Sequence, residues 1–277
     1  MNYNNAPLPF QGQKRNFIKK FKECLNSFEK EAVYVDLFGG SGLLSHTVKN
    51  HYPEAKVVWN DYDDFQKRLQ SFEQTNELLG KLRPLLSHLK SKERLPMEDK
   101  QRVLEALKQH EKQYGYVDYV TVSSNILFSM KYAFSIEEME KETMYNRIRL
   151  TDYQVSGYLD GVERVQCDYK ELYETYKNEN VVFLVDPPYL STDTKSYNSK
   201  DYWRLRDYLD VLSVLDGHRY VYFTSNKSQI VELCDWIETR TYTGNPFKDA
   251  VMTTTQNRVN YQSGYEDQML YKYSITT

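Results

Sequence analysis

Val181-Val-Phe-Leu-Val-Asp-Pro-Pro-Tyr-Leu190 is the stretch that decides the fold of this chain. Its first five residues are apolar and mostly β-branched, the pattern of a fully buried parallel strand, and two prolines stop it before it could become a helix. The strand delivers a carboxylate (Asp186), the carbonyl of Pro187, a rigid turn at Pro188 and the ring of Tyr189. Ligands of open α/β sheets bind outside the carboxyl ends of the strands, so this cluster stands where chemistry is expected. Two acceptors beside a stacking ring suit a planar group bearing an NH2, such as adenine. The competing reading is a plain Pro-Pro turn with an incidental Asp and Tyr, since short motifs match by accident.

A second strand runs into a glycine-rich turn at Ala32-Val-Tyr-Val-Asp-Leu-Phe-Gly-Gly-Ser-Gly42, with a helix expected over Leu43 to Asn50. Glycines 39, 40 and 42 let the backbone turn tightly and approach a bound molecule. About twenty residues on, the strand Lys56-Val-Val-Trp-Asn60 ends at Asp61, where an acid can take the hydroxyls of a ribose. A P-loop is excluded because no Gly-Lys-Ser/Thr follows. A nicotinamide site is weak, because Gly40-x-Gly42-x-x-Ser45 lacks the third glycine. S-adenosylmethionine is the third reading: its cationic methionyl end suits a carboxylate at a strand tip, here Asp36.

On these residues the chain resembles the Dam-like (D12 class) DNA adenine-N6 methyltransferases. Asp36-Leu-Phe-Gly-Gly-Ser-Gly42 matches the family's first motif, Asp61 its ribose acid, and Asp186-Pro-Pro-Tyr189 its catalytic motif. Phe10-Gln-Gly-Gln-Lys14 matches an N-terminal cofactor motif, and Tyr220-Val-Tyr-Phe-Thr-Ser225-Asn226 a strand followed by Ser-Asn. The resemblance covers about residues 6–65 and 160–275. It implies a Rossmann-like α/β sheet for S-adenosyl-L-methionine, a helical insert domain, and catalysis by Asp186, Pro187, Pro188 and Tyr189. The cofactor positions it implies are Phe10, Gly12, Lys14, Asp36, Phe38, Gly39, Gly40, Gly42, Asp61, Tyr62, Asp168 and Tyr169. Asp168 would take the exocyclic amine of the cofactor's adenine, and it reads equally as a helix N-cap. Double-stranded DNA is the implied partner, with a cognate restriction endonuclease as a further one, in a cytoplasmic enzyme of bacterial or phage type. Adenine-N6 methylation of RNA, cytosine-N4 methylation and a non-catalytic binding protein are the alternatives.

Composition agrees with an enzyme of this kind. The chain has 277 residues, 40% of them hydrophobic, enough for a sizeable α/β core with an appended lobe. No apolar run approaches membrane-spanning length, and Met1-Asn-Tyr-Asn-Asn does not read as a signal peptide. Cys24, Cys167 and Cys234 are scattered, so neither a disulfide nor a metal site is expected. The net charge of −3 divides unevenly. Residues 1–30 and 66–115 each carry +4, leaving −11 for the remainder. Positive charge thus gathers in the N-terminal arm and the insert, where phosphates would be met, with Lys81, Arg83, Lys90, Lys92 and Arg147 as candidates. A solvated helix face is the plainer reading of any one of them.

The catalytic piece is therefore expected over 1–65 and 160–277, with the insert over 66–159. Helical patterning is predicted from Arg15 to Phe28, from 65 to 90 with a break near Pro84, after Pro96 as far as Gly115, and from Ser135 towards Arg147. Strands are expected at Gly161 to Gln166 and Tyr265 to Tyr273. Asn245 to Ser263 reads as turn, with Lys248 and Arg258 as backbone contacts to nucleic acid.

Overall fold

The computed structural model describes residues 3–128, 131–188, 203–239, 244–258 and 264–274. The chain forms two compact units, one of residues 1–5, 13–63 and 158–277 and one of residues 6–12 and 64–157. Helices α1 (Ile18–Leu25) and α2 (Leu43–His51) belong to the first unit. The second holds α3 (Phe65–Gln70), α4 (Phe72–Leu85), α5 (Met97–Tyr114), α6 (Tyr119–Ile126) and α7 (Ile136–Lys141). The chain then returns with α8 (Tyr169–Tyr176), α9 (Leu205–Leu215) and α10 (Ile230–Glu238).

The first unit is built on a sheet of β1 (Val33–Asp36), β2 (Val57–Asn60), β3 (Glu163–Val165), β4 (Val181–Val185), β5 (Arg219–Ser225), β6 (Val251–Arg258) and β7 (Gly264–Lys272). Its order is β3-β2-β1-β4-β5-β7-β6, with β1 to β5 parallel and β7 antiparallel to both its neighbours. This is the Rossmann-like sheet. All five residues of β4 are buried, and they alternate between two cores. Val181, Phe183 and Val185 join Leu172, Val211 and Leu215 on the α8/α9 face. Val182 and Leu184 join Phe17, Phe21 and Leu44 on the other. A strand coated on both faces explains why the segment reads as a continuous apolar run.

The strand order reverses between β1 and β4, which pair directly with Asp36 opposite Leu184. The switch-point crevice therefore lies at Asp36 and Asp186.

The helical unit packs α4 to α7 around Leu78, Leu82, Val103, Leu107, Val122 and Met139. Pro96 caps α5 at its start and Gly115, at φ +70°, ends it. The break expected near Pro84 is found there, since α4 stops one residue after the proline, and a second break at Ser71 separates α3 from α4. Ser135 caps α7 by accepting from the Glu138 amide, but that helix ends at Lys141, far short of Arg147. Helix α6 had no sequence signal; polar Thr121, Ser123 and Asn125 are buried in it beside Val122 and Ile126. Asn245 to Ser263 is not simply turn, because β6 occupies Val251–Arg258. Among the described residues no helix is long and apolar enough to cross a membrane, and no group of three acidic, His or Cys side chains could hold a metal ion.

A buried ion pair ties residues 6–12 to this unit. Arg68 donates from Nε to Asp118 at 2.9 Å and from Nη2 to the Pro9 carbonyl at 2.7 Å and the Thr121 hydroxyl at 3.0 Å. Asp118 is also the N-cap of α6. Replacing one member of such a pair leaves the other charge buried and alone. Asp118→Ala is therefore expected to cost about 3–5 kcal/mol, read from the urea midpoint of the unfolding transition that reports the helical unit.

Candidate active site at the strand ends

Strand β1 ends in Asp36, which is fully buried. Its Oδ2 accepts from the Ser45 hydroxyl on α2 at 2.7 Å, while Oδ1 is buried with no side-chain hydrogen-bond partner among the described residues. Burial pushes this carboxyl up to about 7, opposed by the Ser45 hydrogen bond and reinforced by the nearby charge of Asp186. A buried anion of this kind is suited to a cationic ligand.

The glycine turn follows, with positive φ at Gly40 and Gly42. At Gly39 the constraint is protein rather than ligand: a Cβ would stand 2.1 Å from Trp59 Cδ1. At Gly42 it would meet Leu159 at 2.8 Å. The turn is thus pressed against the neighbouring strand.

Asn60, the last residue of β2, was not singled out by sequence. Its Nδ2 donates to the carbonyls of Leu37 and Cys167 at 3.1 and 3.0 Å, and its Oδ1 accepts from the Cys167 amide at 3.2 Å. One buried amide thereby fixes the ends of β1, β2 and β3, which carry Phe38, Asp61 and Asp168. A polar residue closing the otherwise apolar run Val57-Val-Trp was its signal.

Asp61 is fully buried and its Oδ2 accepts from Arg164 Nε at 2.7 Å. Arg164, on β3, was also unforeseen; it lies two residues before Gln166 in a segment read only as strand. Tyr62 is 63% exposed. Asp168 caps α8, accepting from the Lys170 amide at 2.8 Å. Tyr169 packs on Phe38 with ring centroids 4.8 Å apart, and Trp203 closes the group at 5.8 Å from Phe38 and 6.3 Å from Tyr169. The Tyr169 hydroxyl is buried without a partner among the described residues. Trp203 escaped sequence reading because it lies 17 residues beyond Asp186, with no motif around it.

Asp186 extends β4, and Pro187 beside it is buried. Lys14 Nζ sits 2.6 Å from Asp186 Oδ2. Lys14, expected among the cofactor residues, is an ion-pair partner of Asp186. Burial raises Asp186 to about 6 even though the Lys14 ammonium pulls it down. Tyr189 lies outside the described residues.

Phe10 and Gly12 belong to the helical unit, where Phe10 packs edge-on against Phe65 at 5.6 Å and Gly12 has φ +82°. The five basic candidates there are not equivalent. Lys81 pairs with Glu77 at 2.6 Å and Arg83 with Asp152 at 2.8 Å. Arg147 donates to the Leu127 carbonyl at 3.0 Å. Lys90 and Lys92 are exposed near the bridge that joins Arg94 to Tyr145.

Comparison with known proteins bears on this arrangement. The profile of the D12 class N6 adenine-specific DNA methyltransferases matches residues 10–236. A Haemophilus influenzae protein provisionally named a methyltransferase is 34% identical over 279 residues, covering 98% of this chain and 93% of that one. Among solved structures, an rRNA methylase from Streptococcus thermophilus aligns over 96% of this chain and 100% of its own, at 13% identity and a TM-score of 0.36.

The raised Asp36 carboxyl has a stability consequence. Its folded value stands above its unfolded value of 3.8, so the folded state holds the proton more tightly and stability falls as pH rises from about 4 to about 7. Asp36→Asn removes that penalty. It should stabilise the ligand-free protein at pH 8 by on the order of 2–4 kcal/mol, and by clearly less at pH 5, in urea titrations at the two pH values.

Proposed function

We propose that this chain, which belongs to the D12 class N6 adenine-specific DNA methyltransferase family, transfers a methyl group from S-adenosyl-L-methionine to N6 of an adenine flipped out of duplex DNA. The observation that carries the reading is the delivery of Asp186 and the Pro187 carbonyl by β4 into the switch-point crevice beside Asp36. The residues present fit the cofactor. Asp36 offers a buried carboxylate oxygen to the cationic methionyl end, Asp61 would take the ribose, and Phe38, Tyr169 and Trp203 offer apolar faces to its adenine. Phe10, Gly12 and Lys14 join this set by their motif. When bound, the cofactor supplies an electrophilic methyl group.

The chain's part is to make a poor nucleophile adequate. The lone pair of an adenine amino nitrogen is delocalised into the ring. Asp186 and the Pro187 carbonyl accept its two N–H hydrogens, so positive charge developing on nitrogen is met by acceptors already in place. Asp186 need not be a strong base, because the amine proton becomes acidic only as the new bond forms. The base cannot be reached inside a duplex, and the Tyr189 ring is assigned by its motif to the face of the extruded base. Target recognition falls to the helical unit. Because Lys81 and Arg83 are engaged by neighbouring carboxylates, phosphate contact there rests more on Lys90, Lys92 and Arg147.

The test is transfer of labelled methyl to duplex DNA and to RNA, followed by nucleoside analysis. N6-methyladenine in the DNA is expected; label in N4-methylcytosine, or only in RNA, overturns the assignment. Asp186→Ala should lower the rate by roughly a hundredfold to a thousandfold while the cofactor stays bound. Only the ionised carboxylate has both oxygens open as acceptors, so turnover in the parent enzyme should fall as pH drops through about 6. Asp61→Ala should weaken cofactor binding by about 1.5–3 kcal/mol in isothermal titration. Unchanged affinity in a folded variant removes Asp61 from the site.

A further inference from the structure

The ribose acid assigned to Asp61 is held by a side chain from the next strand. Among the described residues β3 is the edge strand of the sheet, paired with β2 so that Arg164 stands level with Trp59. Asp61 lies two residues beyond Trp59, which returns its side chain to the face that Trp59 and Arg164 share. Along that face Arg164 reaches forward to place Nε 2.7 Å from Asp61 Oδ2. Its Nη2 comes within 3.5 Å of Gln166 Oε1, and Gln166 Nε2 donates to the Tyr62 carbonyl at 3.3 Å. Arg164 and Gln166, alternate residues on the edge of the sheet, therefore hold the side chain of Asp61 and the backbone of Tyr62.

A staple for the edge strand is the plain reading of this pair, but that junction is already tied. Asn60 binds the Leu37 and Cys167 carbonyls and the Cys167 amide, and the Asp61 amide donates to the Val165 carbonyl at 2.9 Å. The pair is also a poor source of stability. The Asp61 side chain is wholly out of water while that of Arg164 is 36% exposed, so a partly hydrated cation must offset the full desolvation of a carboxylate.

We propose that Arg164 is a positioning residue for cofactor binding: it fixes the buried Asp61 carboxylate so that it can accept from the two hydroxyls of a ribose. The inference rests on the reading of Asp61 as the ribose acid. The guanidinium need not leave when the ribose arrives, because each carboxylate oxygen has two lone pairs and Oδ2 can accept from both. Its charge lowers the cost of keeping an anion out of water, and the anion accepts at either oxygen with no proton of its own in the way. A planar fork suits the task, since one edge faces Asp61 while another faces Gln166.

Isothermal titration of the full chain with S-adenosylhomocysteine and with its 2′,3′-dideoxy analogue tests this without turnover. The parent should prefer the hydroxyl-bearing ligand by roughly tenfold or more. Arg164→Met should weaken that ligand by about tenfold and the dideoxy analogue by less than about twofold, because only the first uses Asp61. Arg164→Lys should recover part of the loss. In an Asp61→Asn background, Arg164→Met should add little, because its partner is gone. An equal loss for both ligands in a folded Arg164→Met protein marks a general disturbance of the sheet edge and overturns the proposal. Undiminished preference for the hydroxyl-bearing ligand overturns it as well. If Arg164→Met does not fold, Arg164→Lys carries the test, with a loss of about threefold expected for the hydroxyl-bearing ligand alone; an equal loss for both, or none, overturns the proposal there. A parent protein that does not distinguish the two ligands instead removes Asp61 from the ribose, and the role of Arg164 falls with it.

Discussion

One fully buried carboxylate and one largely buried carboxylate, at the ends of neighbouring parallel strands, set the terms for the rest of the sheet unit. Because β1 pairs with β4, Asp36 and Asp186 are held within reach of each other's charge, away from water. Both resist ionisation, and each is partly compensated: Asp36 by a hydroxyl and backbone N–H groups, Asp186 by an ammonium from the N-terminal segment. Neither compensation is complete. What remains is an anionic crevice with unfilled acceptor capacity, which favours a cation on one side and an N–H donor on the other. Stability in the free protein is lowered at the place where ligands can restore it.

Much of this was legible in sequence because it follows from strand chemistry. Val181 to Val185 is apolar at every position, since both faces are covered, and a proline pair after Asp186 fixes where the strand must end. The order of motifs along the chain identified the sheet and the family. What stayed hidden depends on contacts across large separations. The amide of Asn60 reaches Cys167, and Arg164 reaches back to Asp61, over 107 and 103 residues respectively. The glycines were legible for an incomplete reason. Flexibility predicts a tight turn at Gly40 and Gly42, but the need for glycine at 39 comes from the Trp59 ring on the next strand. Strand β6 was missed because Met252-Thr-Thr-Thr-Gln256 is polar and pairs on the open side of the sheet, so no apolar alternation marks it. Helix α6 was missed because its buried hydroxyl and amide groups break the apolar stripe that periodicity detects.

Charge counting gave the same kind of partial answer. The excess of basic residues in the insert is real, yet Lys81 and Arg83 are neutralised locally by Glu77 and Asp152. A tally by segment cannot distinguish a lysine that holds a helix together from one left facing solvent.

The anchoring of Pro9 by Arg68 also bears on how the protein must be made. Residues 6–12 are synthesised before the sheet unit's 13–63 but belong to the helical unit, and the anchor of Pro9 follows 59 residues later. Asp118, which neutralises that anchor, emerges another 50 residues on. The sheet unit, begun with residues 13–63, cannot insert β4 between β1 and β5 until the helical unit has been synthesised in full. Neither unit corresponds to an unbroken length of chain, so the two mature as interleaved rather than successive folding events.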